Sequence, residues 1–174
     1  FRRVLFRSCY LDPFLGGMIA VSEAARNLSC KGACPIAITD NLNFGNPEKE
    51  EIFWQLEEAV KGISKAAREM GIPVISGNVS LNNESNKEPI FPTPVIGMAG
   101  IVDDFSRICT LSFKDDGDLI ILIGENREEL GGSEYLKFFH NIEHGLPPRI
   151  YLNLERAVQN TCRECIALGI LSSA

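Results

Sequence analysis

The run Thr39-Asp40-Asn41-Leu42-Asn43-Phe44-Gly45-Asn46-Pro47-Glu48 constrains this chain more than any other stretch. A short apolar strand candidate, Pro35 to Ile38, leads into it, and a long amphipathic helix follows. A strand that ends in a polar, Gly-containing loop and then a helix N-terminus suits an anionic ligand. Free backbone N–H groups and the helix dipole both favour phosphate there. Further on, a second strand candidate, Pro73-Val74-Ile75, ends in Ser76-Gly77-Asn78-Val79-Ser80. Two strands ending in short oxygen-bearing side chains make a candidate nucleotide and magnesium site. Taken as a pattern alone, this reads only as a phosphate ligand.

The rest of the chain alternates helices and strands. A helix is predicted from Gly16 to about Ser29, with Met18, Val21, Ala25 and Leu28 on one apolar face and Gly32 beyond its end. For the next helix Asn46 is the expected N-cap and Pro47 the first position, with Glu48, Glu50 and Glu51 suited to the positive end of the dipole. This helix runs to about Met70 on a core face of Ile52, Leu56, Val60, Ile63, Ala67 and Met70, and Gly71 closes it. Gly77-Asn78 reads as a turn, Asn82 to Glu88 as an exposed loop, and Val95 to Val102 as a strand ended by Asp103-Asp104. A boundary is placed at about residue 105. Beyond it come a strand at Leu119 to Ile123, a Gly131-Gly132-Ser133 entry to a helix ending near Phe139, and a last helix from about Asn153 to Leu168. That helix carries Leu154, Ala157, Val158, Thr161, Cys162, Cys165 and Leu168 on one face. The mixture points to an α/β or α+β fold.

Composition excludes several classes. The 174 residues are 45% hydrophobic and 23% charged, as expected of a soluble globular chain. A net charge of -6 leaves no surplus basic face for nucleic acid or an anionic membrane. No apolar run approaches the length of a membrane span. The six cysteines, Cys9, Cys30, Cys34, Cys109, Cys162 and Cys165, read as free thiols of a reducing, cytoplasmic compartment. Zinc would need the Cys30/Cys34 and Cys162/Cys165 pairs to converge, and the second pair lies in a helical pattern rather than on a zinc knuckle. His140 and His144 read as a solvated helix end. Residues 1–8, FRRVLFRS, are basic and join no later hydrophobic pattern, so they are set aside from the fold as a non-native end. With the abrupt end at Ser172-Ser173-Ala174, this suggests a fragment.

The wording of the motifs is more specific. TDNLNFGNPEKEEIFWQLEEAV, PVISGNVSLNNE and PTPVIGMAGIVDD closely resemble the phosphoribosylformylglycinamidine synthase family, in its smaller, multi-subunit form. YLDPFLGGMIAVSEAARNLSC and ELGGSEYL are similar to the same family, so the resemblance covers residues 9–174. Other families of the aminoimidazole ribotide synthetase-like superfamily share the plan but not the NLNFGNPE wording. The resemblance implies a chain from the second of two tandem halves. Residues 9–105 would be its N-terminal-type domain and 106–174 the start of its C-terminal-type domain.

The implied activity is an ATP-dependent ligase of purine biosynthesis. It converts formylglycinamide ribonucleotide, glutamine-derived ammonia and ATP into formylglycinamidine ribonucleotide, ADP and phosphate. The implied cofactors are ATP and Mg2+, and the implied partners a glutaminase subunit and a third small subunit. Carried over residue by residue, ATP contacts fall on Asp40 and Gly77, the magnesium ligand on Asn78, and a substrate contact on Ser80. No catalytic residue is implied, because the family's catalytic histidines belong to the other half and neither His140 nor His144 matches them. Asn82 departs from the family, which often has a bulkier aromatic there. Pattern alone leaves simpler readings open: an Asx turn for Asp40, an αL turn for Gly77-Asn78, a strand-face hydroxyl for Ser80, and turns or caps for Asn41, Asn43 and Asn46. A nucleotide-bearing scaffold without catalysis, or another ATP-using member of the superfamily, are the alternative functions.

Overall fold

A computed structural model describes residues 2–123 and 127–171. Phe1 and the run Ser172-Ser173-Ala174, noted above at the two ends, lie outside the described residues. Helix α1 spans Arg2–Leu11 and α2 spans Pro13–Ser29. Asp12 caps α2, its Oδ1 accepting from the Leu15 amide at 2.9 Å, and Pro13 takes the first turn, where no N–H is needed. Strand β1 follows at Cys34–Asn43, then α3 at Glu50–Met70 and β2 at Val74–Ser80. A small ribbon, β3 (Glu84–Ser85) with β4 (Glu88–Pro89), precedes β5 at Thr93–Ile101. The sheet order is β2-β1-β5, with β1 parallel to β2 and antiparallel to β5. Helices pack on a mixed sheet, so the fold is α/β.

The contact that sets the helix layer is made by small residues. A Cβ on Gly62 would stand 2.0 Å from the Phe14 carbonyl oxygen, and one on Gly17 2.4 Å from that of Ala59. The backbones of α2 and α3 therefore approach more closely than larger side chains would permit. This contact turns the buried face of α3 from the predicted one. Gln55, Ala59, Gly62 and Ala66 are buried with Ile52, Ile63 and Ala67, whereas Val60 is 40% exposed. The core joins Met18, Val21 and Ala25 of α2 to Ile38 of β1, Ile63, Ala66 and Ala67 of α3, and Ile72.

Three predicted boundaries move. The loop expected from Thr39 is strand as far as Asn43, and the Gly77-Asn78 turn lies within β2. Helix α3 starts at Glu50 with Lys49 as its N-cap, because Asn46 folds back instead: its Oδ1 accepts from the Glu48 amide at 2.9 Å. Gly71 closes α3 in the left-handed conformation, φ 70°.

Residues 2–8, within the end set aside on sequence, supply most of α1, and the side chains from Phe6 on are part of the packing. Arg7 is buried, donates to the carbonyls of Gly132 and Ser133, and pairs with Glu134 at 2.9 Å. Phe6 stacks on Phe91 with ring centres 5.3 Å apart. Beyond β5, a short 3-10 turn at Phe105–Arg107 precedes α4 (Glu134–His140) and α5 (Leu152–Ala167). Helix α5 buries Leu152, Gln159 and Ile166, not the predicted face, and leaves Leu154 and Leu168 exposed. Its Leu152 enters the main core, and its Glu155 pairs with Arg26 of α2. Leu119 to Ile123 form no strand. A strand needs a ladder partner, none pairs with this run among the described residues, and all five side chains are exposed.

Gly62→Ala is expected to cost about 1–3 kcal/mol or more, since the clash is with backbone. Val60→Ala, on the exposed side of the same helix, should cost about 0.5 kcal/mol or less. Urea unfolding of both variants checks the difference.

Candidate functional site

The parallel register brings the four candidate residues together on two neighbouring strands. Asp40 stands opposite Gly77, Asn41 opposite Asn78, and Asn43 opposite Ser80. Side chains alternate along a strand, so these pairs divide between the two faces of the sheet. Ile38, Asp40 and Leu42 share the face that carries the core, opposite Met98, Ile96 and Pro94 of β5. Thr39, Asn41 and Asn43 point the other way, with Ser76, Asn78 and Ser80 beside them. Asp40 and Asn78 thus present their side chains on opposite faces.

On the core side, the Asp40 carboxylate leans over Gly77. A Cβ at residue 77 would stand 2.4 Å from Asp40 Oδ1. The glycine is required by this approach and not by a left-handed backbone, because Gly77 has no positive φ. Partial burial raises the Asp40 carboxyl above its ordinary pKa. The Asx-turn and αL-turn alternatives give way here to two facing positions in a β-ladder.

On the open side, amides and hydroxyls form a row. Asn78 Nδ2 donates to Asn41 Oδ1 at 3.0 Å, and Thr39 Oγ1 lies 3.4 Å from Ser76 Oγ. The first bond uses the amide nitrogen of Asn78, which turns its oxygen away from Asn41. Ser80 is held by Asn83, whose Nδ2 lies 3.1 Å from Ser80 Oγ and also donates to the carbonyls of Ser80 and Phe44 at 2.8 and 3.1 Å. Asn82 takes φ 59°, a left-handed conformation that Asn adopts more readily than most residues. Asn41, read from sequence as a turn or cap residue, and Asn83, not singled out there, are the residues that steady Asn78 and Ser80. The period-two spacing of Thr39, Asn41 and Asn43 against Ser76, Asn78 and Ser80 was the available signal.

The arrangement offers neutral oxygens and N–H donors around one carboxylate. This suits a polar, phosphorylated ligand, and a hard cation that takes most of its ligands from phosphate and water. Among the described residues no group of three or more His, Cys, Asp or Glu could hold a metal ion, so an all-protein metal cage is not present there. The turn at Asn46–Lys49 separates β1 from α3 along the chain, and the first turn of α3 carries Glu50 and Glu51. Those carboxylates occupy the dipole end that the sequence offered to phosphate. Gly131-Gly132-Ser133 is a helix entry, with Ser133 Oγ accepting from the Leu136 amide at 3.2 Å. His140 ends α4, packed edge-on against Tyr135.

With this geometry in place, the comparisons identify the class. Residues 2–102 match the family described as AIR synthase related protein, N-terminal domain, and the chain belongs to that family. It is 55% identical over 168 residues to phosphoribosylformylglycinamidine synthase subunit PurL of Caldanaerobacter subterraneus subsp. tengcongensis, a match covering 97% of this chain and 23% of the relative. The chain therefore spans under a quarter of the length of that relative. The structure titled "T. maritima PurL complexed with ATP" shares the fold over 94% of this chain and 23% of its own, with TM-score 0.63 at 24% identity. "T. maritima PurL complexed with AMPPCP" is 35% identical, with TM-score 0.51, over 57% of this chain and 17% of that one. The resemblance read from the loop motifs holds.

Gly77→Ala is expected to destabilise the chain by about 1–3 kcal/mol. Adding Asp40→Ala should recover most of that loss, a coupling that a double-mutant cycle in urea measures. The raised carboxyl also sets a pH dependence. A group whose folded pKa lies above its unfolded one binds more protons when folded, so its effect on stability is unfavourable above the folded pKa and absent below the unfolded one. Asp40→Asn should raise the melting temperature at neutral pH, and the gain should vanish as pH falls through the carboxylate range.

Proposed function

We propose that this chain is part of an ATP-dependent, amidine-forming ligase of purine biosynthesis. In this reading the complete enzyme converts formylglycinamide ribonucleotide, ammonia and ATP into formylglycinamidine ribonucleotide, ADP and phosphate, in the cytoplasm. The observation that carries it is the 55% identity to the PurL subunit across 97% of the chain. The word "subunit" in that relative's name supports partner chains, here a glutaminase and a third small subunit. The 35% identical relative complexed with AMPPCP supports a nucleotide ligand.

Within that reading, Asn78 offers its amide oxygen to Mg2+, oriented by the bond to Asn41. Bound Mg2+ would supply neutralisation of phosphate charge. Gly77 and Asp40 shape the strand edge against which ATP lies, and Ser80, steadied by Asn83, faces the substrate. Phosphoryl transfer rests mainly on positioning and charge, so such residues matter without acting as nucleophiles. The division at about residue 105 follows β5, which ends at Ile101. Residues 9–105 then form the N-terminal-type domain of the second tandem half and 106–174 open the C-terminal-type domain. The chain by itself is inactive in this reading.

The absence of an assigned acid, base or nucleophile favours one second reading, in which this half is a nucleotide-bearing scaffold. Asn78→Ala in the complete enzyme separates the two. Loss of turnover with an unchanged melting temperature supports the ligase site. Retained turnover with lower stability supports the scaffold, and turnover on a different acceptor places the chain in another branch of the superfamily. In the isolated chain, ATP with Mg2+ should raise the melting temperature of the wild type and not of Asn78→Ala, as thermal unfolding will show.

A further inference from the structure

The cysteines left out of the site gather where α5 meets the end of α2. Cys30 stands at the C-cap of α2, and its thiol neighbours that of Cys162 of α5. Cys162 Sγ is also 3.9 Å from the carbonyl oxygen of Ser29. Cys109, buried, and Cys165 complete the cluster. The two helices are held together here by contacts independent of the sulfurs. Arg163 donates to Ser29 Oγ at 3.1 Å, and the absent side chain of Gly32 leaves room for Ile166, only 3.1 Å from where a Cβ would stand. Two cysteines far apart in sequence are thus neighbours in the fold, and all six thiols are free.

We propose that Cys30 and Cys162 are an oxidisable thiol pair that closes to a disulfide in the presence of a low-molecular-weight disulfide, fastening α5 to α2. One cysteine sulfur, as thiolate, attacks the reagent's S–S bond and releases one small thiol. The other cysteine sulfur then displaces the second small thiol from the mixed disulfide. One protein S–S bond forms, one reagent S–S bond is reduced, and the two cysteine protons finish on the two thiols released. Burial, reinforced by neighbouring thiols, pushes the Cys162 thiol up to about 11. A thiol held protonated attacks slowly, so Cys162 is a slow first nucleophile at neutral pH. The chain between the two residues includes β1, α3 and the whole sheet, so the bond ties a long loop.

The test uses the folded chain and oxidised glutathione, followed by acid quenching, alkylation, unreduced digestion and mass spectrometry. The expected product is a cross-linked peptide pair containing Cys30 and Cys162 that disappears on reduction. Its yield should fall about tenfold or more when urea removes the fold that holds the thiols together. Exposed Cys34 should carry a glutathione adduct instead. Equal yields with and without urea, separate glutathione adducts on Cys30 and Cys162, unreacted thiols at both, or a bridge from Cys162 to Cys109 or Cys165 would each overturn the proposal.

Discussion

The backbones of two helices nearly touch, and the layer above the sheet depends on that approach. Gly17 and Gly62 lie where α2 and α3 meet, and each lacks the Cβ that would strike a carbonyl of the other helix. With the axes this close, Ile63, Ala66 and Ala67 reach Met18, Val21 and Ala25, and Ile38 of β1 closes the cluster from below. The sheet is covered on one side as a result. Ile38 and Leu42 fix which way β1 faces, and alternation then turns Asn41 to the open side. The polar row of the candidate site therefore follows from apolar packing on the opposite face of the same strand.

Much of this was legible in the residues. The apolar spacing of α2, the Gly71 stop, the Ser133 entry to α4 and the strand before Asp103 all stand where local chemistry placed them. The errors have physical causes. Polar side chains at Thr39, Asn41 and Asn43 looked like loop because one face of the sheet is uncovered, a fact that no local window contains. Val60 was assigned to the core because it is apolar, whereas the close helix contact selects for Ala59 and Gly62. Arg7 looked foreign because its carbonyl and carboxylate partners lie at 132–134, far along the chain. Of the candidate site, the motif wording singled out Asp40, Gly77, Asn78 and Ser80. Their division between two faces, and the parts played by Asn41 and Asn83, needed the register.

The two faces do different work. A carboxylate on the core side is partly desolvated and acts on the shape of the β1–β2 edge through the space left by Gly77. Amides on the open side keep their hydrogen-bonding capacity and carry no charge. In the function proposed above, a site of this kind would contribute geometry and leave the larger charges to the ligand. The acidic first turn of α3 places negative charge of its own at that helix end.

The uncovered run from Leu119 to Ile123 has a consequence for handling the molecule. It joins five consecutive aliphatic residues, four of them at least two-thirds exposed, with no charge or proline among them. Such a segment can pair with its own copy in another chain and stack into a dry cross-β zipper. Asp115, Asp116 and Asp118 sit just before it and act as gatekeepers, since stacking identical chains in register would pile like charges at one end. Replacing those three aspartates by neutral residues would therefore strip the electrostatic guard from a self-adhesive segment.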